Sequence, residues 1–363
     1  MATDSNLSLF APLSLNGIEL KNRIVMAPMT RSRAINNIPN DLMADYYAQR
    51  ASAGLIITEG TSPSPNGIGY PRIPGIYSDE QVEGWKKTTQ AVHEKGGKIV
   101  IQFMHCGRIA NHYNLPEGAK IVAPSAISAE GDMFVDTKGL LKTDTPEALD
   151  TNDLNKTIAE FATAAKNAIA AGFDGVELHS ANGYLLEQFL NPHANTRTDN
   201  YGGSIENRAR FVLEVTQAVV DAIGADKVGI RFSPYNDFNT MPAYDDVYET
   251  YEYLAKEINK IGIAYIHLLD GAARKSQQGI ELISAIRGYF NGVLILNSGY
   301  DKEKATAAIQ SREADLISFG TSFIGNPDLP YRFENDFYLT QADEATFYTA
   351  DEKGYTDYPT YKG

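Results

Sequence analysis

Cysteine is nearly absent from this chain: Cys106 is the only one in 363 residues. An internal disulfide, a CxxC zinc site and a cysteine-ligated iron-sulfur cluster are thereby excluded, and a reducing compartment is expected. Positive charge is also scarce, with 32 Lys and Arg against 46 Asp and Glu and a formal net charge of -14. Such a surface repels phosphate backbones and anionic membranes, which argues against nucleic acid as a partner. No stretch approaches the roughly 20 apolar residues of a membrane span, and Met1 to Phe10 lacks the basic segment and apolar run of a signal peptide. A cytoplasmic chain with no membrane partner is expected. No G-x-G-x-x-G follows a strand, and no HExxH or clustered carboxylates suggest a metal.

What the chain does have is repetition. Eight short apolar runs each end in Gly, Pro, Ser or His or close beside one: 23–28, 55–60, 98–104, 175–180, 228–234, 263–269, 293–298 and 316–320. Most are continuous rather than alternating, as expected of parallel strands covered on both faces. Segments with helical spacing lie between them, most clearly 153–171, 208–223, 245–261 and 302–310. Eight βα units in a chain of this length predict an α/β fold, the TIM barrel, ahead of a doubly wound open sheet. Asn16-Gly17 between alternating residues predicts an N-terminal hairpin capping the barrel. The stretch of about 106–150 after the third strand is too long for a plain loop and is expected to carry short structure over the top face. With no linker in view, residues 1–363 read as a single domain.

Barrel chemistry sits at the C-terminal strand ends, which here present Pro28-Met29-Thr30, Glu59-Gly60, Gln102, His179, Arg231, Asn297-Ser298-Gly299 and Gly320-Thr321. Alternation puts Glu177 and His179 on one face, and Arg231 on the next strand is the expected counter-ion for Glu177. In D-G-V-E-L-H-S-A-N-G-Y, the turn from His179 to Tyr184 can aim an imidazole, a carboxamide and a phenol at one spot. Two N-H donors suit a developing oxyanion and a phenol can deliver a proton, but no Ser, Cys or Lys is placed to attack. Hydride chemistry fits such a site, and the hydride must come from a cofactor.

The run H-S-A-N-G-Y-L-L-E-Q-F-L-N-P followed by R-T-D-N-Y-G-G-S-I-E-N-R resembles the signature of the old yellow enzyme family. A-P-M-T-R at 27–31, Q-F-M-H-C-G-R at 102–108, N-P-D-L-P at 326–330 and G-Y-T-D-Y-P at 354–359 extend the likeness over nearly the whole chain. The resemblance implies an FMN-dependent ene-reductase on a TIM barrel, with NADPH or NADH as reductant and small-molecule activated alkenes as substrates. It implies that Thr30 bonds the flavin C4 carbonyl, Pro28 and Gly60 pack near the ring, Gln102 binds its pyrimidine edge, and Arg231 lies near N1 and C2=O. His179 and Asn182 would hold the substrate carbonyl while Tyr184 protonates the α-carbon. Tyr70, Met104 and Tyr348 would line the substrate pocket. The phosphate would lie near Ser298, Gly299, Gly320 and Thr321, although relatives usually carry Gly at the position of Ser298 and Arg at that of Thr321. Met104 stands where a bulky aromatic is frequent, which implies a wider pocket.

Two other readings stand beside this one: a flavin-binding protein without turnover, and a TIM-barrel lyase or isomerase of a phosphorylated substrate. His93, His112 and His267 are expected to be structural, Cys106 to be a loop thiol, and the chain to be a monomer or homodimer.

Overall fold

The computed structural model describes residues 7–361, so the first six residues of the stretch read for a leader lie outside it. Strands β1 (Leu13–Leu15) and β2 (Ile18–Leu20) form the expected hairpin, with Asn16 and Gly17 both at positive φ as a tight two-residue turn requires. The barrel follows as β3 (Ile24–Met26), β4 (Leu55–Thr61) and β5 (Ile99–Phe103), separated by α1 (Asp41–Gln49) and α2 (Asp79–Glu94). The excursion after β5 contains β6 (Val122–Ala123), β7 (Asp132–Val135), β8 (Gly139–Lys142) and β9 (Glu147–Ala148), of which β7 and β8 pair antiparallel. Helix α3 (Thr151–Ala170) then leads to β10 (Gly175–Ser180), α4 (Leu185–Leu190) and α5 (Ile205–Ile223). The remaining units are β11 (Val228–Phe232), α6 (Val247–Ile261), β12 (Tyr265–Leu269), α7 (Gln277–Tyr289), β13 (Val293–Asn297), α8 (Lys302–Gln310) and β14 (Leu316–Phe319). Two short helices, α9 (Thr321–Gly325) and α10 (Leu329–Glu334), follow the last strand.

Strands β3, β4, β5 and β10 to β14 close into one parallel barrel, with β14 pairing back onto β3. The runs are continuous because both faces are covered: every residue of β4, β5, β10 and β11 is buried. Side-chain caps start the major helices, among them Ser78 with its Gln81 capping box, Asp150, Ser204 and Ser276.

Three apolar clusters position the site. The largest fills the space between the sheet and the helices and includes Trp85, Phe161 and Phe189. A second closes the bottom, where Leu15 and Leu20 of the hairpin pack on Val25, Leu55 and Ile295. The third lies on top, where Ile109, Ala129 and Met133 of the excursion pack with Met104 and Tyr184. The excursion thus covers the face where the strand ends converge. No helix of the described residues is long and apolar enough to cross a membrane.

Candidate active site

The turn after β10 is shaped by two consecutive residues in the left-handed region, Asn182 at φ 57° and Gly183 at φ 76°. Asparagine tolerates this conformation through its short polar side chain, whereas a Cβ at residue 183 would lie 2.7 Å from Met241 Cγ. The turn is held from below. Asn182 N-H donates to Ser233 Oγ (2.8 Å), Gly183 N-H to Glu187 Oε2 (2.5 Å), and Ser233 and Tyr251 both donate to Glu187 Oε1 (2.8 and 2.7 Å). From the side, Asn236 Nδ2 donates to Asn182 Oδ1 (2.9 Å), leaving the Asn182 amide N-H groups free to donate elsewhere.

His179, Asn182 and Tyr184 line one cavity of about 640 Å³, together with Pro28, Thr30, Gly60, Tyr70, Gln102, Met104, Arg231 and Tyr348. That size suits a cofactor and a small molecule together. A contiguous cavity of about 290 Å³ shares Pro28, Thr30, Arg231 and Tyr348 and adds Gly320 and Thr321. Ser298 and Gly299 line neither. Ser298 stands at φ 131°, a conformation suited to glycine, with its side chain against Gly271. At Gly60, a register irregularity in β4 sets the chain opposite Gln102, and Met104 occupies the space where a Cβ would point.

Electrostatics sort the groups. Burial, with Arg231 and His267 nearby, holds His179 well below the usual histidine range, so its ring is neutral. Burial pushes the Tyr184 phenol well above its ordinary range, so it keeps its proton. That hydroxyl donates to Tyr70 Oη at 3.1 Å, and its ring meets His179 edge-on with centroids 4.9 Å apart. Two buried nitrogens of lining residues, His179 Nδ1 and Arg231 Nε, have no protein partner. A flavin ring offers carbonyl oxygens and an anionic reduced edge, so the donor set fits FMN.

One expectation is corrected. Among the described residues no ion pair joins Arg231 to Glu177; Arg231 bonds Asn297 Oδ1 (2.8 Å), and Glu177 is held by Gln102 and His267. The register explains it: Glu177 sits opposite Gly229, where the Tyr265 ring fills the space, while Arg231 lies a layer higher opposite His179. His93 and His112 bond Asp174 and Asp144 away from the site. Cys106 is buried, and its thiol is pushed up by burial.

Sequence reasoning missed Glu187, Ser233, Asn236 and, apart from Tyr348, the collar of the pocket. A lone carboxylate in the apolar run L-L-E-Q-F-L was the available signal for Glu187. The collar consists of Phe134 and Leu140 on β7 and β8, Phe238 on the loop after β11, and Tyr348 in the tail, exposed by 50, 66, 53 and 63%. Arg72 ties two of these pieces together, pairing with Asp136 at the hairpin tip and donating to the Tyr348 carbonyl.

A model of the NADH:flavin oxidoreductase / NADH oxidase family matches residues 8–340. Chanoclavine-I aldehyde reductase fgaOx3 of Penicillium roqueforti (strain FM164) is 45% identical over 364 residues, covering 96% of this chain and 95% of that protein. Among solved structures, morphinone reductase in complex with tetrahydroNAD superposes with a TM-score of 0.94 at 44% identity over 98% of each chain. The old yellow enzyme homologue from Zymomonas mobilis gives 0.93 at 42% identity, covering 98% of this chain and all of that one (100%).

Proposed function

This chain belongs to the NADH:flavin oxidoreductase / NADH oxidase family as an old yellow enzyme, an FMN-dependent ene-reductase, and from that premise we propose how its residues divide the work. Bound FMN supplies the chemistry of the hard step, taking a hydride from NADH or NADPH and giving it to the β-carbon of an alkene activated by a carbonyl or nitro group.

The protein's part begins with the floor. Thr30, Gln102 and Arg231 would hold the ring, Pro28 and Gly60 would pack against it, and the fixed cation of Arg231 would favour negative charge at its edge. Gly320 and Thr321 line the second cavity and would take the phosphate end, whereas Ser298 and Gly299, expected beside them, line neither cavity. Above, a neutral imidazole at His179 and the free amide N-H of Asn182 donate to the substrate oxygen. These two bonds strengthen as charge develops there, on the scale of roughly 3 to 8 kcal/mol. Tyr184 delivers its proton to the α-carbon, and the Tyr70 hydroxyl, already its partner, stabilises the phenolate left behind. Met104 and Tyr348 shape the substrate's side of the cavity.

The convergence of His179, Asn182 and Tyr184 on the cavity that Arg231 also lines carries this reading. A phosphate lyase would need a lysine or carboxylate base at the reacting centre; the two cavities are lined by no lysine, and their one carboxylate, Asp132 on β7, pairs with Lys142. A flavin reservoir would not need an acid and a clamp. Tyr184→Phe is expected to slow the oxidative half-reaction with 2-cyclohexenone by roughly 100-fold while reduction by NADPH keeps its rate. Stopped-flow absorbance of the flavin separates the two steps, and equal rates in variant and parent would remove Tyr184 as the acid.

A further inference from the structure

Beneath the pocket, four polar side chains from four strands form one hydrogen-bonded chain. Gln102 Nε2 of β5 donates to Glu177 Oε1 of β10 at 2.7 Å; Glu177 Oε2 lies 3.0 Å from His267 Nδ1 of β12; His267 Nε2 lies 2.8 Å from Ser318 Oγ of β14. All four are no more than 2% exposed. The barrel register sets Gln102 directly beside Glu177.

Chemistry fixes the direction of this chain. A carboxylate has no hydrogen to give, so both Gln102 and His267 must donate to Glu177. Burial keeps the His267 ring neutral, so with Nδ1 carrying the hydrogen, Nε2 accepts from the Ser318 hydroxyl. The decisive consequence falls on Gln102, which lines the pocket. A free carboxamide can turn either end toward a ligand; this one has its nitrogen turned to Glu177 through one of its two N-H groups, which fixes the side on which its oxygen is left as an acceptor.

We propose that Glu177 is a positioning residue: it fixes the Gln102 carboxamide so that the pocket floor offers an acceptor to the imide N-H of the flavin ring. This rests on the flavin reading of the pocket and adds the reason the amide can be read in only one way. A network serving stability alone would be replaceable, since exchanging buried ionic groups for apolar ones is often neutral or favourable.

The test uses apoprotein and the quenching of flavin fluorescence on binding. Glu177→Gln, which lets the neighbouring amide turn over, is expected to raise the FMN Kd about tenfold. In a Gln102→Ala background the same change is expected to alter Kd less than twofold, because the group it positions is gone. N3-methyl-FMN, which lacks the imide hydrogen, provides a second readout: the parent prefers FMN over it, and Glu177→Gln narrows that preference. Equal weakening in both backgrounds would overturn the proposal in favour of a structural role. Unvarnished parent protein binding FMN and N3-methyl-FMN equally well would overturn it without any variant. If the parent takes up FMN and Glu177→Gln matches it, only the positioning role falls; a parent that takes up no FMN brings down the flavin reading and this proposal together.

Discussion

The floor and the collar of the pocket are built on opposite principles. The floor consists of polar side chains at strand ends, buried and bonded across the barrel: Gln102, Glu177, Arg231, His267 and Asn297. The collar consists of apolar side chains on excursions from the barrel, with Phe134, Leu140, Phe238 and Tyr348 at least half exposed. In the floor each group's orientation is set by its neighbours, which suits a ligand of one shape. In the collar the side chains stand at least half exposed, and the Arg72 strap ties Asp136 and the Tyr348 carbonyl rather than those side chains, which suits substrates of varied outline. Chemistry and selectivity are therefore separable by mutation.

The sharpest break in that comparison comes where floor and substrate meet. Replacing both His179 and Asn182 with Ala removes the two donors that face the substrate oxygen, and each such donor is worth roughly 100-fold or more in rate. Reduction of 2-cyclohexenone is expected to fall by about 10,000-fold, while FMN stays bound and NADPH reduction persists within an order of magnitude. Unchanged ligand-induced shifts in the flavin spectrum of this variant would sink the assignment of the clamp.

Collar variants are expected to do less, and to do it selectively. Phe134→Ser with Leu140→Ser removes two exposed apolar groups from the outward face of a hairpin whose inward residues, Met133 and Val135, stay buried. KM for an enone carrying a large apolar body is expected to rise about tenfold, the scale of one buried side chain. The kinetics of 2-cyclohexenone are expected to stay the same. Parallel losses for both substrates would mean that the collar supports the floor and that the two regions are not separable.

The floor was legible in the sequence and, Tyr348 apart, the collar was not. Continuous apolar runs located all eight barrel strands to within about two residues, since parallel strands buried on both faces have few other ways to read. Strand ends then supplied Gln102, Arg231 and Asn297, and alternation supplied Glu177, while His267 was expected only to be structural. Partners across the barrel escaped, because alternation tells which face a side chain takes and not the layer it meets; hence Glu177 was matched to Arg231 when Gly229 stands opposite it. The collar escaped for a different reason. Phe134 and Leu140 alternate with their neighbours as in any short hairpin, and only the tertiary placement of the excursion brings them to the rim.

The smallest expected effect concerns how the clamp turn is tied to the floor. Glu187 is buried under that turn, and burial pushes its carboxyl up to about 7 even though Gly183, Ser233 and Tyr251 donate to it. The folded state therefore keeps a proton that the unfolded chain releases near the ordinary glutamate value of 4.5. Stability is lost as pH rises from about 4.5 to 7, because over that interval the folded state binds more protons than the unfolded one. Glu187→Gln cannot release that proton, so its stability is expected to fall less steeply, by up to about 1.4 kcal/mol per pH unit. Glu59, pushed to about 7 by its own burial, keeps part of the dependence in both proteins. Urea unfolding of the apoprotein at pH 5, 6 and 7 measures the difference, and parallel pH dependences would mean that Glu187 is ionised throughout. Collar residues carry no such group, so Phe134→Ser is expected to leave the slope where it was; a changed slope there would tie the rim to the turn after all.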